Sequence, residues 1–568
     1  MEQVDLNAQV DYRPNNRVMD CKRCQTIHPP ANGSTFDKNS PFMMFRIQNT
    51  GNTFIDPDKT RLNFKYAAKG VAGNGSVGTA SATTVECLNF TGTEITNAAN
   101  DFSIALSAAG VSGMIRRIEL RVGGSTIENI DSYADIVRLF QVTQVKQSTV
   151  QGFMSLTEGL MSDPTGIGFD GNTVPGNAPF VVTRGTSFAG ANIDSPGVYL
   201  NTTVGQPPPE AGFHVFDASF PILSAVLGAG CGKYFPLCLL RSPLEVYFYL
   251  ESDVTKVIMA KGNLNANANS GNSWTKSQAA YTACNYQITD ANLELGLVVF
   301  GEDSMDLIRS QIDDTMKIQW SGNQVHGITD VTSYIKGNTE IIVPGCNYRN
   351  LKSIFMVQKN NAPNGTFDPS GLEGFGLKSL QYSIEGRLYP KVAMGSENDS
   401  PGSIVAHASV FARYLMGAIN RTSADLQSGS IQRSPNFNNP NTPGTGFGFN
   451  PMGGLGNTPS TAVNQSQEFQ AYFTQSVNTT TTLPPSGDTV GFAELCRFAT
   501  GYSFCDFSDP MLYRQARGVD TSRSFVTMRL SRYAGGANYV TPIKLVHIPL
   551  FEVSYVLDLQ TGILVTEV

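Results

Sequence analysis

The sequence predicts an all-β protein built as two tandem eight-stranded jelly rolls, with short helices and long loops. Three observations carry this. Apolar residues alternate with polar ones in many short runs, the period of half-buried strands. Glycine (55) and proline (30) are abundant, while charged residues are only 15% of the chain, well below the roughly 25% usual in soluble domains. Finally, one order of elements occurs twice: strand, Gly turn, strand, helix, long Gly/Pro/Asn-rich loop, closing strands. A chain of 568 residues exceeds what one hydrophobic core serves, so at least two domains are expected. A repeated order of elements makes them similar domains, and a jelly roll of two Greek keys suits their length.

Residues 1–40 read as an N-terminal arm. Its Arg13, Arg17, Lys22 and Arg23 are mixed with Asp5, Asp11 and Asp20, so it is no polybasic tail. The first jelly roll is assigned to 41–260. PFMMFRIQN and RLNFKYAAK read as strands, the second through alternating Leu62, Phe64 and Tyr66. ECLNF and DFSIAL follow a Gly/Ala/Ser/Thr stretch. In IRRIELRVGGSTIENIDSYADIVRLF (115–140), Ile118, Leu120 and Val122 share one strand face, and Gly123-Gly124 supplies the positive φ values of a two-residue hairpin. Ser132 with Asp135 resembles a capping box. Tyr133, Ile136, Val137 and Phe140 then fall on one helical face. Residues 151–212 form a long loop, and FPLCLL and LEVYFYLE read as closing strands.

Residues 261–283 have the composition of a linker, and the second jelly roll is assigned to 284–568. YQITDANLELGLVVF reads as its opening strand, EDSMDLIRSQI as a short helix, and TEIIVPG and LKSIFMVQK as strands. LKSLQYSIEGRLYPKV (377–392) repeats the hairpin, with Leu380, Tyr382 and Ile384 alternating before a Glu-Gly turn. A helical stretch near 403–416 has Ile404, Ala408, Phe411 and Leu415 on one face. A long loop at 421–489 precedes the closing strands SFVTMRL, KLVHIPL and FEVSYVLDL.

Charge and motifs exclude several functions. A net charge of −7 argues against sequence-specific nucleic-acid binding as the main task. The longest apolar run, FPILSAVLGAGCG, is too short to span a bilayer, so no integral membrane protein is expected. Nine scattered cysteines and no signal-peptide pattern suit reduced thiols in an intracellular setting. Gly73, Gly75 and Gly78 match GxGxxG, but in a loop without the strand and helix a dinucleotide site needs. GAGCGKY (228–234) resembles a phosphate loop but lacks its first glycine and has Tyr234 where a metal-binding hydroxyl belongs. Cys21 and Cys24 form a lone CxxC with only His28 nearby, so a zinc site there needs ligands from another subunit. His28, His214, His326, His407 and His547 make no HExxH, and Asp313-Asp314 reads as a solvated turn. N-x-S/T triplets such as those at Asn201 and Asn420 carry no message without a secretory signal. No catalytic, cofactor-binding or metal-binding residue is assigned, and no cofactor is expected.

The stretch IRRIELRVGGSTIENIDSYADIVRLF resembles the one in double jelly-roll major capsid proteins of eukaryotic double-stranded DNA viruses, of the virophage and polinton-like or the nucleocytoplasmic large DNA virus type, where a strand with an Ile-Gly-Gly-like turn leads into a helix. FPLCLLRSPLEVYFYLE is similar to the closing strands of their first jelly roll, YQITDANLELGLVVFGEDSMDLIRSQ to the strand and short helix opening their second, and FEVSYVLDLQTGILVTEV to their final strand. The resemblance implies a non-enzymatic shell subunit in the virion, synthesised and assembled inside the host cell. It implies a homotrimer forming a pseudo-hexagonal capsomer of an icosahedral shell. Neighbouring capsomers, a penton protein and minor or cement proteins would be its partners. Two other classes share a β-sandwich: a carbohydrate-binding protein, which would expose aromatic platforms although Trp274 and Trp320 are the only tryptophans, and a hydrolase with a dispersed site.

Overall fold

Alternating side chains commit this chain to sheets with one face inward, and the strands take up that arrangement in order. The computed structural model describes residues 21–49, 51–69, 71–72, 85–86, 103–106, 109–144, 157–158, 216–228, 234–261, 274–275, 285–310, 316–332, 337–360, 377–395, 414–415, 418, 500–505, 518–532 and 543–567. The long loops 151–212 and 421–489 lie almost wholly outside this set, as do Asp313-Asp314, the glycines of the GxGxxG match and most of the stretch 403–416.

The first half contains β1 (Cys21–His28), β2 (Thr35–Asp37), β3 (Phe42–Ile47), β4 (Thr53–Lys69), the short β5 (Val71–Ala72) and β6 (Val85–Glu86), and β7 (Ser103–Leu106). There follow β8 (Ile115–Val122), β9 (Ser125–Asp131), helix α1 (Tyr133–Gln144), β10 (Phe216–Pro221), β11 (Leu244–Leu250), β12 (Ile258–Lys261), β13 (Trp274–Thr275) and β14 (Asn285–Phe300). One sheet has the order β1-β14-β4-β10 with β2 also on β14, and the facing sheet the order β3-β11-β8-β9.

After helix α2 (Glu302–Ser310), the second half contains β15 (Lys317–Val325), β16 (Ile328–Thr332), β17 (Gly337–Val343), β18 (Leu351–Asn360), β19 (Leu377–Ile384) and β20 (Arg387–Gly395). It ends with β21 (Thr500–Ser503), β22 (Val526–Arg532), β23 (Ile543–Asp558) and β24 (Ile563–Glu567). Its sheets are β15-β23-β18-β21, with β16 and β24 also on β23, and β17-β22-β19-β20.

Take the eight principal strands of each half in chain order. Both halves then pair first–eighth–third–sixth in one sheet and second–seventh–fourth–fifth in the other. That shared order is a jelly roll, made twice. The hairpins agree in detail: Gly123 and Gly124 have φ of 59° and 85°, and Glu385 and Gly386 have 51° and 78°, the left-handed pair of a two-residue turn matched to strand twist. Ile118, Leu120 and Val122 are buried, as are Leu380, Tyr382 and Ile384.

Three readings of the sequence are corrected. Residues 21–37, read as part of the arm, form β1 and β2 of the first sheet. β1 is a half-exposed edge strand (CKRCQTIH), and with little apolar alternation it left no strand signal. The strand read as opening the second half, β14, instead hydrogen-bonds along β4 and β1. It is the eighth strand that completes the first sandwich, which residue periodicity cannot reveal because pairing partners are distant. FPLCLL is a 3-10 turn, Leu237–Leu239, begun by Pro236, which cannot donate to a ladder. In addition, KLVHIPL and FEVSYVLDL make one strand, β23. Pro549 is tolerated there because β15 pairs up to Leu550 and β16 from His547, leaving the proline at the corner between them, where its oxygen accepts from the His326 N–H at 3.3 Å.

A connected set of buried apolar side chains runs through both halves, from Phe36 to Leu564. A smaller one, Phe54, Val298, Phe300 and Met305, lies under α2.

Candidate functional site

A network of polar and charged side chains lies where the two jelly rolls meet. Helix α1 and strand β9 of the first jelly roll seat against the outer face of the second one's β16-β23-β18 region. Alternation produces that face: Leu545 and His547 point into the second sandwich, so Lys544, Val546 and Ile548 point out. Lys359 lies directly opposite Lys544 on the neighbouring strand. Two like charges facing each other across a ladder repel. Asp135 of α1 resolves this, pairing through Oδ1 with Lys359 and through Oδ2 with Lys544 at 3.8 Å. Burial pushes the Asp135 carboxyl up, but Lys359 and Lys544 outweigh it and hold the group below its ordinary value. Burial also lowers Lys544, against the pull of Asp135. Beside them Lys256 is paired with Glu251 at 3.1 Å.

Among the described residues strand β9 pairs only with β8, so its outer edge presents carbonyls outside any ladder. The second jelly roll caps them with side chains. Gln324 Nε2 donates to the Ile127 oxygen at 2.9 Å and to the Tyr555 hydroxyl at 2.7 Å. His326 Nδ1 meets the Asn129 oxygen at 3.1 Å, and the Ser132 and Thr329 hydroxyls are 3.1 Å apart. Gly327 comes so close that a Cβ there would lie 2.4 Å from the Asp131 oxygen. Apolar contacts flank the seam: Phe140 meets Phe355 with ring centroids 6.1 Å apart, and Trp320 packs between Phe235 and Tyr555. At the far end the Arg241 N–H donates to the Gly562 oxygen at 3.2 Å.

The capping-box reading at Ser132 does not hold. Ser132 has a φ of 53°, its hydroxyl bonds Thr329, and the Asp135 carboxylate serves the lysines. The α1 start is closed by the Asp135 N–H donating to the Ser132 oxygen at 3.0 Å. The sequence offered no signal for this cluster, because Asp135 is separated from its lysines by more than two hundred residues.

The Cys21/Cys24 motif sits on β1, where residues three apart point to opposite faces. Cys21 is exposed and Cys24 half-buried against the core, so the two thiols do not converge. His28 faces Thr26 at 3.0 Å. Burial pushes the Cys346 thiol up to about 12 and the Cys505 thiol up to about 11, so neither is an activated nucleophile. Among the described residues no three His, Cys, Asp or Glu side chains gather to hold a metal ion. None of their helices is long and apolar enough to cross a membrane. What this region does physically is lock two sandwiches together.

No protein-family model matches the sequence, and no curated protein matches it. Solved structures do. The chain is similar to a chain in the 3.5 Å cryo-EM structure of the Sputnik virophage, with 12% identity, 99% of this chain and 91% of that chain covered, and a TM-score of 0.52. It is also similar to the Faustovirus major capsid protein, with 11% identity, 96% and 91% covered and a TM-score of 0.49, and to the mavirus major capsid protein, with 11% identity, 99% and 94% covered and a TM-score of 0.43. At 12% identity the first likeness establishes the fold: an all-β double jelly roll over nearly the whole chain.

Proposed function

We propose that this protein is a major capsid protein, a structural subunit and not an enzyme. The observation that carries the reading is the doubled jelly roll itself: one strand order made twice in one chain, matched nearly end to end by a chain from a virophage particle. In this reading the first jelly roll runs to Phe300, α2 connects, and the second begins at Lys317. Three chains then supply six similar wedges around a threefold axis, a pseudo-hexagonal block able to tile an icosahedral shell around double-stranded DNA. The chemistry is shape and burial, and permanent interfaces of this class bury on the order of 2,000–5,000 Å². Neighbouring capsomers, a penton protein and minor or cement proteins are the partners, and the virion is the location. Negative-stain imaging of the purified protein tests this. Hexagonal-outline particles of trimer mass are expected; a monomer at every concentration defeats the proposal.

A further inference from the structure

The junction inside one chain is head-to-tail. It joins the fifth-strand edge and following helix of one jelly roll (β9, α1) to the outer face of the first–eighth–third–sixth sheet of the other. Because both jelly rolls have the same strand order, each chain carries a second copy of the strands on either side of that junction. The first jelly roll keeps its outer sheet face. There Arg61, Asn63 and Lys65 of β4 alternate with core residues Leu62, Phe64 and Tyr66, and Ile27 of the edge strand β1 is 68% exposed. The second jelly roll keeps its fifth-strand edge, β20, which among the described residues pairs only with β19 and carries Val392, 79% exposed. These two residues are among the most exposed large apolar side chains of the described residues. Each also has a charge beside it, of opposite sign: Glu294 lies directly across the ladder from Ile27, and Lys391 precedes Val392.

We infer that the β20 edge around Val392 docks on the β1–β14–β4 outer face around Ile27 of a second copy of this chain, repeating between chains the junction made within each. This rests on the trimer reading and assigns its contact. A heterologous contact repeated in this way forms a closed ring if its rotation closes, and three chains close a ring of six jelly rolls.

The test uses the full chain with Ile27→Asp or Val392→Asp, both at exposed positions, with circular dichroism and melting temperature confirming the fold. Each variant alone should raise the concentration for half-assembly by about tenfold or more, the effect of losing a central contact. An equimolar mixture should form one-to-one dimers and no trimers by mass photometry, because each partner then supplies the half the other lacks. Unchanged trimers in both variants, or variants that fail alone and fail to dimerise when mixed, overturn this placement while the wild-type trimer still stands. A wild-type chain that never assembles overturns the trimer reading and this placement with it.

Discussion

Asp135 shows how one side chain decides the fate of two others. Removing one partner of a buried ion pair leaves uncompensated charge at a cost of about 3–5 kcal/mol, so Asp135→Asn, which leaves Lys359 and Lys544 facing each other, should lower the thermal midpoint strongly. A triple variant replacing all three groups by apolar residues should recover most of the loss, as calorimetry can show. Because the Asp135 carboxyl is held below its ordinary value, its contribution is present at neutral pH and fades as acid protonates it. His547 is the opposite case. It is fully buried, neither ring nitrogen has a hydrogen-bond partner among the described residues, and burial pushes it down from 6.5 to about 4, with Asp330 opposing. The unfolded chain therefore takes up the proton first, and stability should fall as pH drops from 6.5 to about 4, by about 3 kcal/mol in all. His547→Leu should abolish that slope in urea titrations across this range and raise stability at neutral pH, since no unpaired polar group stays buried. An unchanged slope would assign the acid sensitivity elsewhere.

At the scale of elements, the seam depends on close approach at the β15–β16 corner. Gly327→Ala puts a methyl group 2.4 Å from a backbone oxygen that belongs to the other jelly roll, and overpacking of this kind costs about 1–3 kcal/mol. Scanning calorimetry should show a lower midpoint and separation into two transitions; one unshifted transition would mean the seam yields freely. Each hairpin is held by its inward trio. Leu120→Asp and Ile384→Asp bury an unpaired carboxylate, so each should unfold the jelly roll that carries it, read by near-ultraviolet circular dichroism and limited proteolysis. The two-residue turns were legible in the sequence because Gly-Gly and Glu-Gly punctuate alternating runs. The edge strand β1 was not, because a strand exposed on one side needs few apolar residues.

At the scale of the molecule, the low content of charged residues fits a surface covered by neighbours. Light scattering at neutral pH should find a stable trimer over a wide concentration range. The loop 435–459, with Phe437, Phe447, Phe449 and Leu455, lies outside the described residues. Burying side chains of this kind is worth roughly 1.5–3 kcal/mol each, so a contact of this loop with a neighbouring subunit would strengthen the trimer. Replacing the loop by a Gly/Ser linker should weaken the trimer and leave both jelly rolls folded, while an unchanged trimer and melting curve would remove that role.

By itself the sequence determined the strand-rich class, both hairpins and the face each hairpin buries. These follow from periods of a few residues and from turn chemistry, which neighbours in the chain dictate. Only the tertiary structure decided that β14 closes the first sandwich, that Pro549 sits at a corner inside one long strand, and that Asp135 bridges two lysines in place of capping a helix. Each of these depends on partners brought from far along the chain, and no local pattern encodes a partner whose position the fold alone supplies.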